Sequence, residues 1–164
     1  MRCLLPALLF IGMLPVEAQA QSYAHSPPGQ TGLGGIIGTP SGLSLKIYGT
    51  DRSSFTAYDF LLAYDLDRFF FFSLHGLFER PLPDSPLNYF FGPGALLGAR
   101  ERPRDNNEMV LGLSVNFGIN FFTERFEVFL QVTPRLHLIP ATEGDLGGGI
   151  GLRYYFGKRH ETDR

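Results

Sequence analysis

Between residues 126 and 138 the chain reads FEVFLQVTPRLHL, and its side chains sort by twos. Val128, Leu130, Val132, Leu136 and Leu138 fall on one face; Glu127, Gln131, Thr133, Arg135 and His137 fall on the other. An extended strand places successive side chains on opposite faces, whereas a helix spreads them over a period of 3.6. The same phase recurs over 109–119, where Leu111, Leu113, Val115, Phe117 and Ile119 oppose Gly112, Ser114, Asn116 and Gly118. It recurs over 42–49, with Leu43, Leu45 and Ile47 against Ser44, Lys46 and Tyr48. In GIGLRYYF, Ile150, Leu152, Tyr154 and Phe156 alternate with Gly151, Arg153 and Tyr155. Such segments make sheet, and one face of that sheet needs an apolar medium.

The alternation and the turn residues between segments predict strands at about 33–38, 42–49, 55–64, 69–79, 89–100, 109–119, 126–138 and 147–156. The separators TPSG, DRSS, YDLDR, RPLPDSP, ERPRDNNE, TER and PATEGDLG carry Asp, Pro, Ser, Asn and Gly, which suit turns. None is long enough for a crossover helix, so neighbours should pair antiparallel. The 20 Gly, 16 Phe and 7 Tyr, with no Trp, fit sheet better than helix. The expected fold class is all-β, a single eight-stranded antiparallel up-and-down barrel. An even number of strands of about ten residues is what a tilted transmembrane barrel needs, and a soluble barrel or sandwich shares that count.

Residue size chooses between these media. The polar face carries mostly Gly, Ser, Asn and Thr instead of the long Lys and Glu that a soluble sheet shows to water. Small residues with a few mixed charges suit the crowded interior of an eight-stranded barrel. The other face is a nearly unbroken apolar band with Phe and Tyr near strand ends, as an interfacial girdle would be. Lipid is therefore expected outside.

Arg2, the apolar run LLPALLFIGML and the small residues of AQA (Ala18 to Ala20) follow the plan of a secretory signal peptide. The expected organisation is a signal peptide at 1–20, an extended lead-in at 21–31 carrying two prolines, the barrel at 32–156, and a polar tail at 157–164. Cleavage would remove Cys3, the one cysteine, so disulfides and cysteine metal sites are not expected. The formal charge of −2 gives no sign of a nucleic-acid partner.

A last strand of alternating apolar residues closing on Phe156 resembles the assembly signal of Gram-negative outer-membrane barrels. More narrowly, GLGGIIGTPSGLSLKIY, NYFFGPGALLGAR and EVFLQVTPRLHLIPATEGDLGGGIGLRYYF resemble a family of small eight-stranded outer-membrane barrels of OmpA/OmpX-like architecture, over residues 32 to 156. The resemblance implies an outer-membrane location, with membrane lipid and the barrel-assembly machinery as partners, a monomer, no cofactor and no catalytic residues to carry over. One departure is the eight residues GKRHETDR after the aromatic.

Several motifs invite sharper chemistry. GLGGIIG (Gly32 to Gly38) misses the spacing of a phosphate-binding glycine loop, and close strand packing explains it better. Ser73 and His75 share a face, with Asp59 on the preceding strand, which raises an acyl-transfer site of a lipid hydrolase or transferase; their mid-strand lumen position favours filling instead. Glu79 and Asp84 flank a proline-rich turn and read as solvated loop charge. No His or carboxylate pair has metal-ligand spacing. Lys46, Arg100, Arg135 and Arg153 are expected to face Asp59 and Glu127 in one narrow interior, with Arg153 and Glu127 paired across consecutive strands. Unpaired buried charge is costly, so these six read as a polar plug that fixes register. The expected function is structural or envelope-interacting, without chemistry of its own. The alternatives are a lipocalin-like periplasmic binder of an apolar ligand and a lipid-modifying acyl enzyme.

Overall fold

The computed structural model describes residues 27, 29–50, 53–65, 69–100 and 108–157. The expected signal peptide, most of the lead-in and residues 158–164 of the tail lie outside the described residues. Eight strands run in chain order: β1 (Thr31–Thr39), β2 (Ser41–Tyr48), β3 (Ala57–Asp65), β4 (Phe69–Pro81), β5 (Asn88–Arg100), β6 (Glu108–Thr123), β7 (Phe126–Ile139) and β8 (Glu143–Phe156). Each pairs antiparallel with the next, and β8 returns to β1, which closes the barrel. The class is all-β and the order up-and-down.

The two-residue pattern decides which way the sheet curls. Along β7 exposure alternates residue by residue from Phe126 to Leu138, with Glu127, Phe129, Gln131, Thr133, Arg135 and His137 inside. Leu113, Leu130, Ile150 and Leu152 are each about half exposed on the outer wall (54%, 49%, 55% and 49%). The inside thus holds the charged and polar groups packed with rings and a few aliphatic side chains such as Ile36, Leu61 and Leu96, and a mainly apolar band covers the outside. Phe126, Tyr154 and Phe156 join into an outer aromatic cluster beside the end where β8 stops, with ring centroids 5.3 and 4.9 Å apart.

Two ladders have gaps at a proline inside a strand, and the β6–β7 ladder also shifts register between Leu111 and Gly112, where Leu138 is skipped. The β4–β5 pairing passes from His75↔Gly94 to Phe78↔Phe91 and skips Pro93; the β6–β7 pairing passes from Ser114↔Arg135 to Phe117↔Val132 and skips Pro134. Proline has no N–H to donate, so a ladder rung is lost on that side. Both prolines remain paired through the opposite edge, Pro93 with Val115 and Pro134 with Leu146.

The wall is uneven in height. Strands β1 to β3 have 9, 8 and 9 residues, whereas β6 has 16 and β7 and β8 have 14 each. At about 3.4 Å per residue, β6 is about twice as long as β2. Strands β6 and β8 exceed the spans expected from the sequence, reaching Thr123 and starting at Glu143.

The assignment of faces has a direct test. Arginine in place of Leu130, whose partners are Ile119 and Ile150 in mid-wall, should cost about 2–4 kcal/mol in a bilayer, against about 0–1 kcal/mol for Met109→Arg near a strand end. Urea unfolding in lipid vesicles would measure both. Equal costs would mean that the wall carries no buried apolar belt.

Candidate functional site

The interior holds two polar layers. The first centres on Glu127 of β7, which is fully buried. One carboxylate oxygen accepts from Lys46 Nζ (2.9 Å) and Asn120 Nδ2 (2.6 Å); the other accepts from Arg153 Nη1 (3.0 Å) and the Tyr155 hydroxyl (2.6 Å). Four donors from three other strands therefore satisfy one anion. Glu127 and Arg153 are direct register partners on β7 and β8.

Arg153 spreads the layer further. Its Nη2 donates to Asp59 (2.7 Å) and its Nε to Ser44 Oγ (2.8 Å), while its guanidinium lies 3.7 Å from the centroid of the Phe129 ring. Lys46 donates its other contact to Glu79 (2.5 Å), and Glu79 also accepts from the Tyr48 hydroxyl (2.9 Å). Tyr48, Phe90 and Phe122 surround the Lys46 ammonium at 5.0–5.7 Å, within cation–π reach. Flat rings fit because glycine faces them. A Cβ on Gly151 would stand 2.2 Å from Phe129 Cζ, and one on Gly32 would stand 2.6 Å from Tyr155 Cζ.

The second layer lies nearer the β7–β8 connection. His75 Nε2 and Ser114 Oγ share a hydrogen bond of 2.8 Å. Asn116 links the layers, donating to Asp59 and Gln131 and accepting from Thr133. Arg135 forms an ion pair with Asp145 of β8 at 2.7 Å, beside the Phe71 ring. Between these groups is a cavity of about 10 Å³, lined in part by Asp59, Ser73, His75, Ser114, Gln131 and Arg135. That is room for about one water-sized particle.

Of the six lumen charges expected from the sequence, the structure gathers Lys46, Asp59, Glu127 and Arg153 into one network and sets Arg135 apart in the second layer. Arg100 ends β5, and its side chain lies outside the described residues. Glu79 corrects the sequence reading. It is no solvated loop charge but a lumen residue of β4, its side chain 6% exposed and bound to Lys46. The inward phase of Ser73 and His75, carried on by two residues at a time, would have found it. Asp145 was assigned to a connection; the phase of Arg153 and Gly151, carried back, reaches it.

The acyl-transfer constellation does not assemble around Ser73, because the hydroxyl held by His75 is Ser114. The adjoining cavity has no room for an acyl chain. Among the described residues, no group of three or more His, Cys, Asp or Glu side chains is placed to hold a metal ion. Chemically, the arrangement can hold charge, resist water and fasten strands.

No family model and no curated protein matches the chain. Among solved structures, it is similar to the N-terminal β-barrel domain of Pseudomonas aeruginosa OprF, with a TM-score of 0.57 and 17% sequence identity, over 77% of this chain and 95% of that one. The likeness is one of fold.

Loss of the central anion should outweigh loss of a peripheral one. Breaking a buried ion pair from one side costs about 3–5 kcal/mol, and Glu127→Gln should fall in that range. Glu79→Gln, which leaves Lys46 its bond to Glu127, should cost less. Unfolding midpoints in detergent micelles would rank the two. A larger loss for Glu79→Gln would remove Glu127 from the centre of the network.

Proposed function

We propose that this chain is a monomeric outer-membrane barrel with a structural or envelope-interaction role, a filled lumen and no chemistry of its own. The observation that carries this reading is the direction of the barrel's polarity. Lys46, Asp59, Glu127 and Arg153 are buried inside while Leu113, Leu130, Ile150, Leu152 and their neighbours stand exposed on the outer wall, the reverse of what a soluble barrel requires. A lipid bilayer is the medium that suits such a wall, and a closed sheet leaves no unpaired edge in hydrocarbon. The likeness to the OprF barrel domain supports the architecture.

The partners follow from the same reading: outer-membrane lipid around the wall, and barrel-assembly machinery during insertion. Phe156 ends β8 with an exposed ring, in keeping with its proposed part as an assembly signal. A lipocalin-like binder would keep an open apolar cup inside, whereas this lumen is filled by Lys46, Asp59, Glu79, Glu127 and Arg153 packed among rings such as Tyr48, Phe129 and Tyr155. A lipid-modifying enzyme would present its nucleophile to lipid, whereas Ser73 and Ser114 are both buried in the lumen.

Two measurements test the proposal. The purified protein should resist SDS until heated, and so migrate faster unboiled than boiled, and it should stay with membranes through a carbonate wash. Release by carbonate without a mobility shift would replace the membrane barrel with the soluble binder. In a planar bilayer the plugged interior predicts no porin-like conductance, since eight strands leave only enough width for side chains. Large, long-lived channels from single barrels would make transport the better reading.

A further inference from the structure

The second lumen layer contains donors without acceptors. Arg135 has a side chain only 2% exposed, and its one ionic contact runs through Nη2 to Asp145, itself 42% exposed. Its Nε and Nη1 make no hydrogen bond, and the Nη2 contact is not aligned as one. His75, 3% exposed, leaves Nδ1 unbonded. Gln131 uses its amide oxygen to accept from Asn116, which leaves its NH2 for another partner. All three side chains line the same cavity of about 10 Å³. A buried donor without an acceptor costs about 1–3 kcal/mol, more when it is charged.

The one carboxylate at this cavity is already engaged, and the other side-chain acceptors that line it are neutral, among them the hydroxyls of Ser73, Ser114 and Thr133. Both Asp59 oxygens are bonded, one to Arg153 and Ser44 and the other to Asn116. Ser114 Oγ is taken up with His75, whose Nδ1 carries the hydrogen when Nε2 accepts from that hydroxyl. What the Arg135 guanidinium lacks is therefore a charged acceptor on its lumen side. A water molecule would supply lone pairs but would bring two further hydrogens in need of acceptors. An anion accepts only, and its bonds to a guanidinium are charge-assisted.

We propose that this cavity is a binding site for one small monovalent anion of about chloride size, held by Arg135 with His75 and Gln131. Its volume excludes polyatomic anions as large as sulfate or gluconate. The cavity lies towards the end of the barrel where Arg135 pairs in register with Asp145 and where Pro40 of the β1–β2 turn lines it. Arg135 thus serves two anions at once, the fixed carboxylate on its outer side and the mobile ion on its inner side. The site is connected to the Glu127 layer through Asn116 and Asp59 but does not rest on the membrane role proposed above.

The full chain in detergent micelles can be unfolded with urea in sodium chloride, sodium bromide or sodium gluconate at equal ionic strength. Chloride and bromide should raise the midpoint saturably. At ten times the dissociation constant the folded-to-unfolded ratio should rise about elevenfold, while gluconate should give no saturable rise. Arg135→Gln should abolish the halide response. Because that variant could fail to fold, crystals of the unaltered protein grown with bromide provide a second readout, an anomalous peak between Arg135 and His75. Equal midpoints in halide and gluconate, or no bromide peak in the cavity, would overturn the proposal and leave water as the occupant.

Discussion

The closure of β8 onto β1 is the constraint on which the rest of the structure depends. Nine residue pairs, from Thr31↔Phe156 to Thr39↔Gly148, join the two ends of the sheet. Without them both end strands would present unpaired N–H and C=O groups, which water can solvate and hydrocarbon cannot. Closure also defines an inside. Once the ring of eight strands is complete, every second side chain points into a tube only wide enough for side chains to fill. The identity of those side chains then becomes a packing problem, solved here by placing rings such as Tyr155 and Phe129 against Gly32 and Gly151.

The same enclosure makes the ionic layer possible and demanding. Lys46 to Glu127 joins β2 to β7, Arg153 to Asp59 joins β8 to β3, and Lys46 to Glu79 joins β2 to β4. These bonds cross the lumen between strands that are not neighbours in the sheet. A one-residue slip of any of these strands would carry its charge from the lumen to the outer wall, because the side-chain period is two. The charges therefore oppose register errors that the backbone ladder alone would tolerate. Glu127 meets this demand most completely, with four donors on one carboxylate.

The prolines and the short strands modify this frame without breaking it. Pro93 and Pro134 each remove rungs on one edge only. Beside the second gap, Thr133 and Asn116 restore a link through their side chains at 3.1 Å. Strands β1 to β3 make a lower wall than β4 to β8, so the ends of the barrel are not level. Arg135 and Asp145 lie on the taller side, where a cation inside the tube can reach a carboxylate at its margin.

The sequence by itself determined the strand count, their order and the two faces, because a period of two is a local property that needs no knowledge of partners. Alternation at 109–119 and 126–138 was enough to place Leu113 and Leu130 outside and Ser114 and Glu127 inside. Adjacent-strand pairing of Glu127 with Arg153 was legible for the same reason, since short turns leave little freedom in register. What only the tertiary structure decided lies across the lumen. That Lys46 reaches Glu127, that His75 holds Ser114 and not Ser73, and that Arg135 ends beside Asp145 depend on barrel diameter and on strand stagger. Those are properties of the closed ring, set by all eight strands together. Asp145 was hidden because turn composition there takes over from alternation while the strand continues, and Glu79, the last residue of its expected strand, was hidden by the proline-rich turn that follows it.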